Sequence, residues 1–322
     1  MPPSIDPAIT IALGLHARGA RIAPHGGSGF SSTFKLSAIR DGDPVYYFIK
    51  TGTGKEAEIM FRGEHESLNA LNRVIPGFCP RSYAHGVFAE DANRFFLVTD
   101  FLDLGTSVAD GSSVSLARKL AKLHTTPAPV SDGFDSPMFG FPVTTCCGAT
   151  PQDNTWNASW ADFYAEKRLR SICRAGIKSN GADRELEAAV DKVASSVVPR
   201  LIGPQTMQSI QPVLIHGDLW SGNHGRGQVA GQGGSEEIVF DPSAVYGHSE
   251  YELGIMHMFG GFGAAFMKEY DRLVPPCEPV AERGDRIALY ELYHHLNHWT
   301  MFGGGYRSGA MGIMKKLTQK YG

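Results

Sequence analysis

The chain has 322 residues, with 30 lysines and arginines against 33 aspartates and glutamates, and its formal net charge is −3. A chain of this length buries a substantial core, either in one large domain or in two medium ones. The small negative charge argues against a general nucleic-acid or membrane-surface binder, because both need a basic surplus to collect phosphate contacts. The sequence contains no run of roughly 18 uncharged apolar residues, which excludes an ordinary transmembrane helix.

The cysteines and the N-terminus bear on the cellular compartment. Five cysteines are present, an odd number without CxxC spacing, so they fit neither a disulfide framework nor a zinc site. Residues 1–6, MPPSID, contain no basic segment leading into an apolar run and do not resemble a secretory signal. We expect a reduced, cytoplasmic protein. Cys146 and Cys147 are adjacent, which leaves a redox role open, but two ordinary loop cysteines are the simpler interpretation.

The first hundred residues predict five strands and two helices. In chain order these are a helix within 5–15, three strands between 20 and 50, a helix at 56–73, and strands near 82–89 and 94–100. A glycine-rich loop at 26–29 falls between the first two strands. Asp41 and Gly42 mark a tight hairpin between the next two, and Lys50 ends the third strand.

From residue 112 onward the apolar period becomes helical. Helices are predicted around Leu116 to Leu123 and at 157–175, 182–198, 250–272 and 282–302. The glycine-rich stretch 225–234 is typical of a flexible hairpin tip. A β-rich segment followed by a mainly helical one predicts a segregated α+β fold with two lobes. We place their boundary at the hinge near residue 102, which gives domains of residues 1–102 and 103–322.

Residues 216–223, HGDLWSGN, contain the strongest chemical signal. Phosphoryl transfer needs phosphates held in place, a metal between them and an acceptor hydroxyl oriented for in-line attack. Asp218 lies five residues before Asn223, which is the spacing of the kinase catalytic loop H-x-D-x-x-x-x-N. Asp218 is therefore a candidate base for the hydroxyl proton, and Asn223 is a candidate metal ligand. The alternative is that Asp218 only caps a turn.

Asp241 is a candidate for a second metal ligand. It follows the apolar run 238–240 and comes 18 residues after Asn223, which suits the role of the kinase D-F-G aspartate. An Asp-Pro pair after a strand is otherwise usually a turn, so the assignment of Asp241 as a metal ligand depends on its position relative to Asp218.

Lys50 and Glu64 form a predicted ion pair. Glu64 lies on the apolar stripe of the helix at 56–73, and a carboxylate that faces inward needs a partner because burying an unpaired charge is costly. Lys50 is the obvious partner, and such a pair positions a lysine against the α- and β-phosphates of ATP. The alternative is a solvated lysine and a glutamate at the helix edge.

The glycine-rich loop and the histidines allow more than one interpretation. The loop is not a Walker A motif, which needs G-x-x-x-x-G-K-[ST] before a helix. With strands on both sides, it is typical of a flap whose backbone N–H groups cover a nucleotide. His294 and His298 lie in a leucine-rich helix without an HExxH motif, so packed or substrate-contacting histidines are favoured over zinc ligands.

The chain resembles the fructosamine-3-kinase and ketosamine (protein-ribulosamine) 3-kinase family over nearly its whole length. The matching motifs are MFRGE at 60–64, HGDLWSGN at 216–223, DPSA at 241–244, YGHSEYEL at 246–253, MFGGF at 258–262, LYHHLNH at 292–298 and FGGGY at 302–306. Trp220 distinguishes this family from related aminoglycoside and choline kinases. Those kinases share H-G-D and the later Asn but usually carry other residues at the position of Trp220. The segment 145–156 resembles the version found in eukaryotic, fungal-like members.

The resemblance implies a bilobal protein-kinase-like fold of the aminoglycoside-phosphotransferase type. It also implies that ATP and Mg²⁺ serve to phosphorylate the 3-hydroxyl of ketosamines on glycated proteins or amines, which promotes deglycation. The residue roles it implies are Asp218 as base; Asn223 and Asp241 as Mg²⁺ ligands; Gly26, Gly27, Ser28, Gly29, Lys50, Glu64, Asp100, Phe101 and Leu102 at the nucleotide; and His216, Trp220, Glu250 and His298 at the substrate.

One feature departs from the family pattern, and two alternative functions remain open. Many family members carry a phosphate-loop cysteine linked to redox-sensitive dimerisation, but residues 27–32, GSGFSS, have none, so we expect a monomer without that switch. A related kinase for an aminoglycoside or choline would need a strongly acidic cleft or an aromatic cage with carboxylates, and neither pattern is evident. A nucleotide-binding pseudokinase is disfavoured because the base, both metal ligands and the lysine are all present.

Overall fold

The computed structural model of the chain describes residues 5–16, 19–27, 29–105, 114–207, 210–229 and 234–322. The elements of the N-terminal region are α1 (Pro7–Leu13), β1 (Arg21–Pro24), β2 (Ser32–Arg40), β3 (Asp43–Thr53), α2 (Gly54–Val74), β4 (Ser82–Val87) and β5 (Arg94–Asp100). The five strands form one antiparallel sheet in the order β1-β2-β3-β5-β4. The predicted strands and helices of this region are thus confirmed.

Local sequence chemistry explains the central hairpin of this sheet. β2 and β3 pair along their lengths, and Asp41 and Gly42 between them have positive φ values of 55° and 93°. A two-residue turn of this kind needs left-handed backbone at both positions, which an Asp-Gly pair tolerates. β3 continues to Thr53, so Lys50 lies inside the strand and not at its end as predicted.

The alternation of side chains along the strands assigns one helix to each face of the sheet. Ile9 of α1 packs in one apolar cluster with Val98 of β5, whereas Phe61 of α2 packs with the neighbouring Leu97. Lys50 is the register partner of Leu97. Since paired residues point to the same face, the Lys50 side chain is directed towards α2.

The C-terminal region is mainly helical. Its helices are α3 (Leu116–Thr125), α4 (Trp160–Phe163), α5 (Ser171–Asn180), α6 (Arg184–Lys192), α7 (Val198–Ile202), α8 (Glu252–Phe259), α9 (Ala264–Leu273), α10 (Arg283–Phe302) and α11 (Tyr306–Tyr321). Two π-helical segments, Tyr164–Arg170 and Val193–Val197, connect α4 to α5 and α6 to α7. Short 3₁₀ turns, Ser249–Tyr251 and Val280–Glu282, precede α8 and α10.

Short strands in the C-terminal region lead into the loops that line the cleft. They are β6 (Leu102–Leu104), β7 (Thr145–Cys147), β8 (Thr150–Gln152), β9 (Val213–Ile215), β10 (His224–Val229), β11 (Glu236–Val239) and β12 (Val245–Gly247). They pair as a β11-β10-β6 sheet and as the two-stranded sheets β12-β9 and β7-β8. β6 follows β5 directly but pairs with β10, so the hinge segment is anchored to the C-terminal region. The domain boundary at residue 102 stays a prediction.

The core of the C-terminal region centres on α10. This helix packs against α5, α8 and α11. Its residues Leu289, Leu292, Leu296 and Trp299 are buried, at the spacing of one helical face. α5 approaches closely at Gly176, where an added Cβ would lie 2.2 Å from the Trp299 ring. Within the part of the chain that is described, no helix is both long enough and apolar enough to cross a membrane.

The helices predicted at 157–175 and 182–198 are confirmed, but they begin at Trp160 and Arg184 and continue to Asn180 and Ile202. Three other predictions differ from the structure. The helix predicted at 250–272 is divided into α8 and α9 after Gly260, whose φ is 66°. α11 was not predicted. Residues up to Val229 of the predicted hairpin tip belong to β10, and residues 230–233 lie outside the described residues.

Candidate functional site

Two cavities adjoin between the sheet and the C-terminal region, and both are lined by Lys50 and Asp241. The first, of about 230 Å³, has an apolar lining from Phe48, Leu102 and Phe240. The second, of about 260 Å³, is lined by polar and aromatic side chains, which include Asp218, Trp220 and Asn223. The arrangement suits a flat apolar group in the first cavity and a polar reacting centre in the second.

Lys50 is the ionic centre of the site. Its ammonium lies 2.8 Å from both carboxylate oxygens of Glu64 and 2.7 Å from Oδ1 of Asp241. Burial disfavours the ammonium, but the two carboxylates outweigh it and hold the pKa of Lys50 above its ordinary value. Gly63 lets α2 pack closely on the start of β7, because an added Cβ would lie 2.6 Å from the Thr144 carbonyl oxygen. The structure thus brings the predicted pair together and adds Asp241 to it.

Asp241 has an unusual backbone. Its φ is 55°, and among the described residues only Asp41 is a second non-glycine residue with positive φ. Asp41 belongs to a tight hairpin, whereas Asp241 follows β11 and lines both cavities. Left-handed backbone at an aspartate costs on the order of 1 kcal/mol, and such residues cluster at functional sites. This backbone conformation cannot be predicted from the sequence. In the structure it occurs at a residue whose carboxylate contacts Lys50.

The catalytic-loop motif begins at the end of the buried strand β9. Gly217 has φ of 81°, and an added Cβ would lie 2.0 Å from the Ser243 carbonyl oxygen, so only glycine fits. The Ser243 N–H donates to the His216 carbonyl oxygen at 2.9 Å. These contacts join the loop to the segment that follows Asp241.

His216 does not reach the cavity, which corrects its prediction as a substrate contact. The side chain is fully buried, and burial lowers the pKa of His216, so the ring is neutral. Nδ1 accepts from the Asp218 N–H at 3.3 Å, and Nε2 donates to the Phe240 carbonyl oxygen at 3.0 Å. His216 therefore couples the backbone before Asp241 to that of Asp218.

Asp218 and Asn223 meet in the second cavity. The Asn223 side-chain amide donates to the Asp218 backbone carbonyl at 2.8 Å and lies 3.4 Å from its Oδ2. Burial, and then the nearby carboxylate of Asp241, raise the pKa of Asp218 well above its ordinary value. The carboxylates of Asp218 and Asp241 and the amide oxygen of Asn223 together offer the oxygen ligands that a divalent cation such as Mg²⁺ prefers.

Cys146 and Cys147 lie in strand β7, so their interpretation as loop cysteines is wrong. Cys147 is buried, and its Sγ donates to Oδ1 of Asp218 at 3.7 Å. Burial and the Asp218 carboxylate raise the pKa of the Cys147 thiol, so the sulfur stays protonated. Cys146 lines the second cavity. No motif in the sequence indicated that Cys147 contacts the candidate base.

Trp220 and His298 lie on one aromatic surface. The Trp220 ring folds over Gly222, where an added Cβ would lie 2.3 Å from it. Phe259 separates Trp220 from His298, with ring centroids 5.5 and 5.0 Å away. Trp220 lines the second cavity, whereas His298 lies beyond the Phe259 ring and does not line it.

Glu250 is not at the cleft, which corrects its prediction as a substrate residue. It is buried, and its carboxylate accepts from Arg286 at 2.7 Å and from the Cys277 N–H at 3.1 Å. Glu252, two residues later, is the carboxylate that contacts the catalytic loop. It accepts from the backbone N–H groups of His216 and Gly217.

The three glycines of the predicted loop and Leu102 line the cavities. Gly26, Gly27 and Leu102 line the first cavity, and Gly29 lines the second. Ser28 lies outside the described residues.

The other two hinge residues use their side chains elsewhere. Asp100 lines the first cavity, but its carboxylate accepts from the Arg81 N–H at 2.8 Å and from the Tyr83 hydroxyl at 2.6 Å. Phe101 packs beneath His25 and Lys35 and does not line the cavity. Both side chains are therefore held by contacts within the protein.

Comparisons with known proteins show which family the chain belongs to. The family model described as Fructosamine kinase matches residues 22–320. The chain belongs to the fructosamine kinase family. This family member is 35% identical over 294 residues to ketosamine-3-kinase of Mus musculus, covering 87% of this chain and 90% of the mouse protein. It is 33% identical over 288 residues to the chloroplastic protein-ribulosamine 3-kinase of Arabidopsis thaliana, covering 89% and 81%.

Solved structures share the fold of this fructosamine kinase family member. A Haemophilus somnus protein assigned as a fructosamine-3-kinase matches with a TM-score of 0.75 and 21% identity, covering 98% of this chain and 96% of that chain. A thermostable mutant of an aminoglycoside phosphotransferase, in a ternary complex with AMP-PNP and hygromycin B, matches with a TM-score of 0.56 and 14% identity, covering 98% of each chain. The predicted α+β protein-kinase-like fold is confirmed.

Proposed function

We propose that this protein is an ATP- and Mg²⁺-dependent ketosamine 3-kinase that phosphorylates the 3-hydroxyl of ribulosamines or fructosamines on glycated lysines. The observation that carries the proposal is the meeting of Asp218, Asn223 and Asp241 with the Lys50–Glu64 pair where the two cavities adjoin. Family membership, with relatives named ketosamine-3-kinase and protein-ribulosamine 3-kinase, supports the same acceptor.

Each residue has a defined task in this proposal. Lys50, held by Glu64, binds the α- and β-phosphates of ATP, whose adenine occupies the apolar first cavity. Asn223 and Asp241 hold Mg²⁺, which when bound offsets the charge of the phosphates. Asp218 accepts the proton of the acceptor hydroxyl as it attacks the γ-phosphorus in line. Since little covalent chemistry is required of the protein, positioning and electrostatics supply most of the rate.

Phosphorylation at C3 explains how such a kinase removes a sugar from an amine. The C1 amine and the C2 carbonyl tautomerise to an enaminol, and the C3 phosphate then leaves as inorganic phosphate. The imine that remains is hydrolysed, which frees the amine and releases the sugar as a dicarbonyl. The kinase itself needs only to place the phosphate.

The second cavity disfavours an aminoglycoside as the acceptor. Its described carboxylates are Glu64, Asp218 and Asp241, and each already has a role at the phosphates or the hydroxyl. A polycationic acceptor needs further carboxylates to bind its ammonium groups. The remaining lining has apolar surface from Phe30, Met60 and Trp220, which suits the C–H face of a sugar.

Incubation with Mg-ATP tests the proposal. Ribulosyl-lysine and fructosyl-lysine are compared with choline and a panel of aminoglycosides, and phosphate incorporation at C3 is followed by NMR. Asp218→Asn is expected to lower kcat by about a hundredfold or more and to keep ATP binding, while Asp135→Asn at an exposed aspartate serves as the control. Turnover of an aminoglycoside but of neither ketosamine would overturn the substrate assignment. Undiminished turnover by Asp218→Asn would overturn the role of Asp218.

The oligomeric state and the cellular location of the protein are part of the same proposal. We infer a monomeric state from the cysteine-free phosphate loop and a cytoplasmic location from the five cysteines, all of which are free thiols. Size-exclusion chromatography with light scattering, run with and without reductant, checks the first. Fluorescence microscopy of the tagged full chain in its native cells checks the second.

A further inference from the structure

Five aromatic rings form a continuous surface that begins in the second cavity and leads away from it. We call them the aromatic strip, and they are Trp220, Phe259, His298, Phe302 and Tyr306. Neighbouring ring centroids are 5.0 to 5.8 Å apart from Trp220 through Phe259 and His298 to Phe302. These distances fall within the range of favourable aromatic contacts.

The aromatic strip is exposed where a core would bury it. The exposed fractions are 36% for Trp220, 37% for Phe259 and 59% for Phe302. Contiguous apolar patches of this kind are uncommon on monomers and mark binding surfaces. His298 adds no charge at neutral pH, because burial lowers the pKa of its imidazole. The strip is therefore uncharged and suited to an apolar chain.

The position of the strip determines which part of a substrate can reach it. The first cavity lies on one side of Lys50 and Asp241, and Trp220 lines the cavity on the other side. The acceptor hydroxyl must lie between Asp218 and the γ-phosphate. The rest of the acceptor therefore extends away from the nucleotide, past Trp220 and onto the rings that follow it.

We propose that the aromatic strip binds the amine-bearing part of the substrate, namely the methylene chain of a glycated lysine and the adjoining peptide. This inference rests on the proposed function, because the C1 amine of a ketosamine lies two carbons from the C3 hydroxyl at Asp218. With the sugar against Trp220, the substituent on the nitrogen lies over Phe259 and Phe302. Lysine methylenes pack well on aromatic faces. The site thus favours peptide-linked ketosamines over those of small amines.

The test compares two acceptors that carry the same sugar. One is ribulosyl-methylamine, and the other is an acetylated and amidated tripeptide with a central Nε-ribulosyl-lysine. The measured quantity is the ratio of kcat/KM for the tripeptide to kcat/KM for ribulosyl-methylamine. We expect Phe302→Ser and Phe259→Ser to lower this ratio roughly fivefold to tenfold, the cost of losing one aromatic contact. Val280→Ser is the matched control, since Val280 is 48% exposed near the opposite end of α10.

The outcomes separate the two proposals. A selective fall in the ratio for the two strip variants, with none for Val280→Ser, supports binding of the peptide by the strip. An unchanged ratio in both strip variants, in an enzyme that turns over ribulosyl-methylamine, overturns the strip assignment and leaves the kinase assignment standing. If the wild-type protein phosphorylates neither acceptor, the proposed function fails and the strip assignment fails with it. Thermal unfolding of each variant confirms that the fold is retained.

Discussion

Glu252 and Gly217 are joined by a hydrogen bond of 3.0 Å in which the Gly217 backbone N–H donates to the buried Glu252 carboxylate. The other oxygen of the same carboxylate accepts from the His216 N–H at 2.6 Å. Glu252 is the first residue of α8, so the backbone that leads into Asp218 is fixed to a helix of the C-terminal core. Since both N–H groups are enclosed, they have no access to water when the carboxylate is absent.

Glu252→Gln is expected to destabilise the protein and to lower kcat. A glutamine side chain has one acceptor oxygen, and its NH₂ group faces a backbone donor, so at least one N–H is left without a partner. The cost is about 1 to 3 kcal/mol in the free energy of unfolding. Urea unfolding and steady-state kinetics measure the two effects, with the exposed Glu90→Gln as the control. Wild-type stability and kcat in Glu252→Gln would contradict the assigned contact.

The contrast between Glu250 and Glu252 shows which contacts of the site cannot be predicted from the sequence. Both carboxylates fall in one matching motif, and sequence reasoning selected Glu250. Residues two positions apart at a helix start point in different directions. Which of them faces the catalytic loop depends on how the 3₁₀ turn Ser249–Tyr251 packs on β9, and that is a tertiary contact. Cys147 was missed for the same reason, because β7 meets Asp218 across 71 residues of chain.

The parts of the fold that sequence predicted well have local causes. The β2–β3 hairpin follows from turn chemistry at Asp41 and Gly42, and α2 follows from its apolar stripe. β10 was missed because its glycines are typical of a loop, whereas its pairing with β6 is set by residues more than 100 positions away. α11 was missed because its glycines and lysines obscure the few buried positions, Ala310, Met314 and Leu317.

Cys147→Ala is expected to lower kcat while leaving the KM for ATP nearly unchanged. The substitution removes the S–H donor at Oδ1 of Asp218, and among the described residues the Asn223 amide is then the remaining donor beside the carboxylate. A weak hydrogen bond to a carboxylate is worth about 1 kcal/mol, which corresponds to a roughly fivefold loss of rate. Cys147→Ser keeps a donor and should recover most of kcat. Equal kinetics in the alanine and wild-type enzymes would show that the thiol has no part in positioning Asp218.

Gly222→Ala is expected to raise the KM for the ketosamine through displacement of Trp220. The added methyl would lie 2.3 Å from the indole, so the ring must move. The size of the effect is bounded by that of Trp220→Ala, and the double variant should lose no more than Trp220→Ala does. Gly312→Ala is the control, because an added Cβ there meets nothing within 4 Å. Additive losses in the double variant would mean that Gly222 acts independently of Trp220.

His248 is buried and neutral in the fold. Its Nδ1 lies 2.8 Å from the Tyr290 hydroxyl, and its Nε2 lies 3.2 Å from Sγ of Cys277. Burial lowers the pKa of His248 to about 4, although the neighbouring Glu250 opposes this and Arg286 reinforces it. The unfolded chain has the ordinary histidine pKa of about 6.5. At a pH between these two pKa values, His248 is protonated in the unfolded state but neutral in the folded state.

Stability is therefore expected to fall as the pH falls from 7 to 5. The His248 contribution to this loss is about 2 kcal/mol in the free energy of unfolding, since a pKa difference between the states sets the slope. His248→Asn keeps a polar group near the Tyr290 hydroxyl but does not titrate, so its stability should depend less on pH. Urea unfolding at pH 7 and pH 5 measures the difference, with His16→Asn at an exposed histidine as the control. The same pH dependence in His248→Asn and wild type would show that this imidazole does not control the acid sensitivity of the fold.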